Sequence, residues 1–240
     1  MPPTWLETAS FAVLLTSVVC ALVIVADLVG GRRQKMAIMN LVWPITALYM
    51  GPFGLWAYWS LGRSPNRHLK DGQGQSPSEG AEAEHDREKG NRRPFWQTVF
   101  IATSHCGAGC TVGDTIGETA IFLLGVTLFG STLLTAYLVD FTLAYLLGIL
   151  FQYFTIAPMR NLGLRDGLIA AAKADTISLV AFEVGMFAIM AVNQLLLFTE
   201  PPKPNSATYW FLMQIAMIVG FATSYPANWY LVRAGLKEAM

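Results

Sequence analysis

Charge is scarce in this chain. Of its 240 residues only 13% are Asp, Glu, Lys or Arg, about half the share of an ordinary soluble domain. Over half are hydrophobic, 54% by count, and the mean hydropathy is +0.45. So little charge excludes a fully water-facing globule. Cysteine is nearly missing: Cys20, Cys106 and Cys110 are too few and too scattered for a secreted disulfide framework. No basic stripe suggests nucleic acid, and the net charge of zero carries no information about partners, because the charges sit in a few loops. A nucleotide-binding glycine loop is also absent, so any work the protein does would draw on a gradient. The first apolar run lacks the basic start and small-residue cleavage site of a signal peptide, and is kept as a helix.

What the chain has in abundance is apolar runs of bilayer length. Ser10 to Gly30 reads as a first span, followed by Arg32, Arg33 and Lys35. A second apolar segment, Met36 to Leu61, is interrupted by Pro44 and by Gly51-Pro52-Phe53-Gly54. It is expected to be kinked, broken or re-entrant. Residues 63–93 are polar, with almost no large apolar side chain, and read as a disordered loop. From Pro94 to Gly130 the chain is too long for one untilted span. A break at Gly107–Gly109 is expected there, with a half-helix from Phe95 to His105 and a full span following. Spans at Ser131–Ile156, at about Thr176–Phe198 after an interfacial start, and at Tyr209–Val232 complete the series.

The fold class is therefore all-α: a polytopic helical membrane protein of about six transmembrane segments. It divides into two N-terminal segments (1–62), the polar loop (63–93) and a main membrane domain (94–240). The excess of Arg and Lys near cytoplasmic ends puts Arg160, Arg165, Arg233 and Lys237 inside. Counting back over six crossings then leaves Arg32, Arg33 and Lys35 outside, against the rule. A re-entrant second segment or a seventh crossing would remove the conflict.

The chemistry concentrates at His105-Cys106-Gly107-Ala108-Gly109-Cys110-Thr111-Val112-Gly113-Asp114-Thr115-Ile116-Gly117-Glu118. On a helix, Cys106, Cys110, Asp114 and Glu118 recur every fourth residue as one polar stripe. Gly109, Gly113 and Gly117 make a second stripe about 100° away, suited to close approach of another backbone. Polar groups in hydrocarbon need a partner or a wet cavity, so the first stripe should face inward. His105, Cys106 and Cys110, with Met186 and Met190 at helical spacing, are candidate ligands for a soft metal ion such as copper(I). Met213 and Met217 have the same spacing, although methionine pairs more often fill cores. Asp114, Glu118, Asp140 and Glu183, with Lys173 and Asp175 as compensating charges, are candidates for an ion pathway or charge relay. The bland alternatives are a dipole-satisfied Asp114 and an interfacial Lys173/Asp175 pair.

Ser104 to Glu118, with the later Lys173-Ala174-Asp175 and Phe182-Glu183-x-Gly185-Met186, resembles a bacterial membrane family filed as domain of unknown function four-three-nine-six. The resemblance covers about residues 94–238 and implies no activity. A local similarity of Gly109-Cys110-Thr111-Val112-Gly113 to the thiosulfate importers implies a sulfur-compound cargo. The leading expectation is a multi-pass inner-membrane permease for copper(I), with the lipid bilayer as its partner and a homo-oligomer left open. Catalysis is the less favoured class. The alternatives are a transporter of a reduced sulfur compound, a membrane thiol-redox protein cycling Cys106 and Cys110, and an assembly factor.

Overall fold

The computed structural model describes residues 3–34, 36–63, 93–128 and 130–237. The expected polar loop lies almost wholly outside the described residues. All the elements are helical: α1 (Thr4–Val29), α2 (Met39–Met50), α3 (Pro52–Ala57), α4 (Phe95–Leu124), α5 (Thr132–Arg160), α6 (Leu164–Val192) and α7 (Ala207–Arg233). Wider π turns extend α3 over Tyr58–Gly62 and α6 over Asn193–Leu197. Four of these helices, α1, α5, α6 with its extension, and α7, are long and apolar enough to cross a membrane. The outward sides of α1 and α5 carry exposed Phe11, Leu15, Leu22, Leu138 and Leu146. Such a surface suits hydrocarbon better than water.

The second apolar segment folds back on itself. At Gly51 the backbone takes φ +57°, which glycine reaches at little cost, and Pro52 starts the next helix at a position where no amide hydrogen is needed. The two limbs then press together: a Cβ on Gly54 would lie 2.8 Å from Ala47 Cα, and one on Gly62 would collide with the Trp43 indole. The hairpin mouth is held to the C-terminal end of α1, where Asp27 receives hydrogen bonds from Tyr58 (2.8 Å) and Arg63 (2.9 Å) and pairs with Arg32. Its tip reaches the middle of the bundle, where Gln214 Nε2 of α7 donates to Leu48 O (2.6 Å). Phe53 of the returning limb packs on Phe100 of α4, and Phe95 packs on Trp229. The C-terminus of α1, the N-terminus of α4 and the C-terminus of α7 thus share one end of the molecule.

The expected break in the third segment is corrected. α4 runs without interruption from Phe95 to Leu124, 30 residues or about 45 Å. Buried backbone in apolar surroundings must pair internally, and a helix does so at no further cost. Its glycines serve contact instead. A Cβ on Gly109 would lie 2.7 Å from Gly148 Cα, one on Gly113 would overlap Ala144, and one on Gly117 would overlap Asp140. Each step of four along α4 meets a step of four back along α5, as antiparallel helices in fixed register require. α6 is likewise one helix from Leu164, not an interfacial piece followed by a span near Thr176. Thr223 Oγ1 of α7 donates to Ala181 O of α6 (2.7 Å), and Ser224 Oγ donates to Ser178 O (2.8 Å).

Gly113→Val should cost about 1–3 kcal/mol through overpacking against Ala144. Gly163→Ala, where an added Cβ meets open space and the cost is only that of a poorer N-cap, should cost under about 1 kcal/mol. Unfolding midpoints of the detergent-solubilised protein would check the contrast.

Candidate functional site

Once the glycines of α4 turn toward α5, the polar stripe of the same helix is set facing α6 and α7. His105, Cys106, Cys110 and Asp114 are fully buried, and Glu118 is 7% exposed. Asp140 of α5 and Glu183 of α6, each 1% exposed, join them from neighbouring helices. Cys110 faces both Cys106 and the Glu183 carboxyl. Asp114 lies in electrostatic range of Glu183, Asp140 and Glu118, and Glu118 neighbours Asp140 and the Tyr209 phenol. The stripe has become a file: Cys106, Cys110, Glu183, Asp114, Asp140, Glu118.

The acids of this file neighbour one another, the Cys110 thiol and the Tyr209 phenol, yet few of their oxygens form a well-aligned hydrogen bond. Both oxygens of Asp114, both of Glu183 and Oδ1 of Asp140 are buried without a hydrogen bond, as is the Tyr209 hydroxyl. Leaving such groups bare costs on the order of 1–3 kcal/mol apiece, more where charged. A packed core would have carried carbon at these positions, so the retained acids set this file apart from the apolar cluster around it.

The file opens at one end. Beyond Glu118 and Tyr209 lies a cavity of about 390 Å³, lined also by Thr127, Gln194, Lys203 and Pro204. It sits where α4 ends and α7 begins, opposite the hairpin mouth. At its other end the file meets a second cluster. Ser178 Oγ stands 3.6 Å from Cys106 Sγ and 2.6 Å from Asp175 Oδ1. Asp175 Oδ1 in turn accepts from Lys237 Nζ at 2.6 Å, a fully buried ion pair.

Not every expected ligand converges. His105 points toward α5, where its Nε2 meets Thr155 Oγ1 at 2.8 Å and its ring packs on Phe151, so it does not join the thiols. Adjacent residues on a helix diverge by about 100°, which is the reason. Among the described residues no group of three or more His, Cys, Asp and Glu side chains is arranged to hold a metal ion. The donor set that remains for a soft ion is the thiol pair. Met186, Met190, Met213 and Met217 are buried in the apolar cluster around the thiols. Lys173 is exposed and is not the partner of Asp175, which Lys237 takes instead.

Three participants escaped sequence reading. Tyr49, at the hairpin tip, lays its hydroxyl 3.0 Å from where a Cβ on Gly107 would stand, and that hydroxyl is buried without a partner. Ser178 links the two clusters, and Lys237 enters from beyond the last helix. Only Lys237 left a trace: Gly235, at φ +69°, is the residue type that ends a helix and turns the chain inward.

The difference between paired and unpaired acids is measurable. Asp175→Asn strands a buried ammonium and should cost about 3–5 kcal/mol, largely recovered in an Asp175→Asn/Lys237→Met double variant. Asp114→Asn removes an acid with no partner and should cost under about 1 kcal/mol or stabilise. Detergent-state unfolding of the variants would check both signs.

No curated protein and no solved structure matches this chain. One family profile does, described as Domain of unknown function (DUF4396), over residues 95–237. The matched stretch holds α4 to α7 and ends on Lys237, so it contains the whole file and its ion pair but neither α1 nor the hairpin. The chain belongs to the DUF4396 family.

Proposed function

We propose that this protein is an ion permease of the plasma membrane and that its cargo is a soft monovalent metal ion, copper(I). The observation that carries the proposal is the file of buried, largely unpartnered acceptors leading from the cavity at Glu118 and Tyr209 down to the thiols of Cys106 and Cys110. Carboxyl groups packed this closely need positive charge among them, as protons or as a cation. The two facing thiols are soft donors of the kind copper(I) prefers over hard ions. Glu183, Asp114, Asp140 and Glu118 would pass the ion or the compensating protons along, and Tyr49 would close the hairpin side.

The topology that goes with this reading has five crossings, α1 and α4 to α7, with α2 and α3 as a re-entrant hairpin. Arg32, Arg33, Arg63, Arg160, Arg165 and Arg233 then gather at the hairpin's end, which is the cytoplasmic one by charge. The conflict over Arg32 and Arg33 disappears. Irregular backbone at membrane depth is tolerable where protein covers it, and the Gly51 tip is covered by α1 and α7. The cavity faces the opposite, extracytoplasmic side.

Anaerobic titration of the detergent-purified protein with copper(I) under reducing conditions would test the cargo. Close to one ion per chain is expected, with loss of binding in Cys106→Ser/Cys110→Ser. In vesicles, Glu183→Gln and Asp114→Asn should keep binding at the thiols and lose most of the flux. If neither the wild type nor the thiol variant binds copper, the metal cargo is wrong, and a reduced sulfur compound becomes the next cargo to test.

A further inference from the structure

The ammonium of Lys237 is seated in a ring of hard oxygen donors. Its Nζ donates to Asp175 Oδ1 at 2.6 Å, to Asn228 Oδ1 at 2.7 Å and to Ala102 O at 3.5 Å. These three groups come from α6, α7 and α4, and all lie inside the bundle. Lys237 and Asp175 are 2% and 0% exposed, and Asn228 is 0% exposed. Asp175 Oδ2 is buried nearby with no partner. One carboxylate balances one positive charge, and the remaining donors are neutral oxygens. That is the donor set of a site for a single-charged, oxygen-seeking cation.

Lys237 differs in kind from the donors around it. The donors sit on long helices whose packing fixes them. Lys237 sits on the segment past Arg233, turned inward by Gly235, with Leu236 N and Lys237 N both bonded to Leu231 O. The segment can leave by breaking those two bonds, the Gly235 N–H bond to Val232 O and its side-chain contacts, without disturbing a long helix. Its departure would uncover three mutually facing oxygen donors and a buried charge that needs replacement.

We infer that Asp175, Asn228 and Ala102 O form a binding site for a free monovalent hard cation, sodium or potassium, and that Lys237 holds the site as a tethered competitor. The site lies one serine away from the thiols: Ser178 Oγ touches Asp175 and faces Cys106 Sγ. Cation entry and release of that segment would therefore act on the cytoplasmic end of the file. The inference uses its own donors and holds whatever the cargo at the thiols is.

The test uses the wild-type protein in detergent and reads modification of Lys237 by an amine-reactive reagent, followed by mass spectrometry. Replacing choline chloride with sodium or potassium chloride at constant ionic strength should accelerate modification of Lys237 several-fold. Exposed Lys203 serves as the internal reference and should not change. A second arm measures binding of radioactive sodium to Lys237→Gln, which lacks the competitor. Its affinity should exceed that of wild type about tenfold or more, because the competent state is no longer rare. Binding should vanish in Asp175→Asn/Lys237→Gln. Equal modification in all three salts, with no tighter sodium binding in Lys237→Gln, would overturn the inference and leave the pair as a staple for the segment. Neither arm contains copper, so failure of the permease reading leaves this result untouched.

Discussion

The close approach of α4 and α5 is the contact on which the rest depends. Gly109, Gly113 and Gly117 meet Gly148, Ala144 and Asp140 with no room for an added methyl group. In a bilayer, apolar side chains gain little by leaving lipid for protein, so helices associate through close packing and hydrogen bonds instead. Small residues in matched register supply that packing. They also fix the rotation of α4, and that rotation decides where the Cys and acid stripe points. A larger residue at Gly113 would therefore disturb chemistry on a different face of the helix from the one it occupies.

The same contact explains how a carboxylate comes to lie in the middle of a small-residue seam. Asp140 takes the third position of the α5 row, over Gly117, where a side chain on α4 would have blocked it. From there it reaches Glu118 and Asp114. A glycine seam in most membrane bundles brings backbones together; here it also lets an acid reach across to the next helix. The hairpin acts in a similar way from the other side, placing Tyr49 over Gly107 through the turn at Gly51.

Much of this was legible in the sequence, and the failures share a cause. The helical class, the stripe of Cys106, Cys110, Asp114 and Glu118, and the close-approach role of the glycines followed from spacing alone, because a helix fixes which residues share a face. The interruption of the second segment at Gly51-Pro52 was also readable, since both residues constrain backbone locally. The break assigned near Gly107 was wrong because glycine is ambiguous: it can end a helix or let one be approached, and only the neighbouring helix decides which. Pairings across helices were not readable at all. His105 adjoins Cys106 in the chain and belongs to a different interface, while Asp175 lies two residues from Lys173 and pairs with Lys237. Sequence proximity predicts contact only at helical intervals, and those two pairs fall outside them.

The two ends of the polar file are chemically unlike. At the cavity end stand Glu118 and its neighbour Asp140, beside a cavity of about 390 Å³ that Lys203 also lines. At the other end stands an acid already balanced by a lysine, with no bare charge to offer. On the permease proposal, a cation held at the thiols would face the Lys237 ammonium across Ser178 and Asp175. Repulsion between that ammonium and an arriving cation is strong in a medium poor in water. On that reading, passage beyond the thiols would require the ammonium to move, so the segment carrying Lys237, rather than any of the long helices, would be where such a path is controlled.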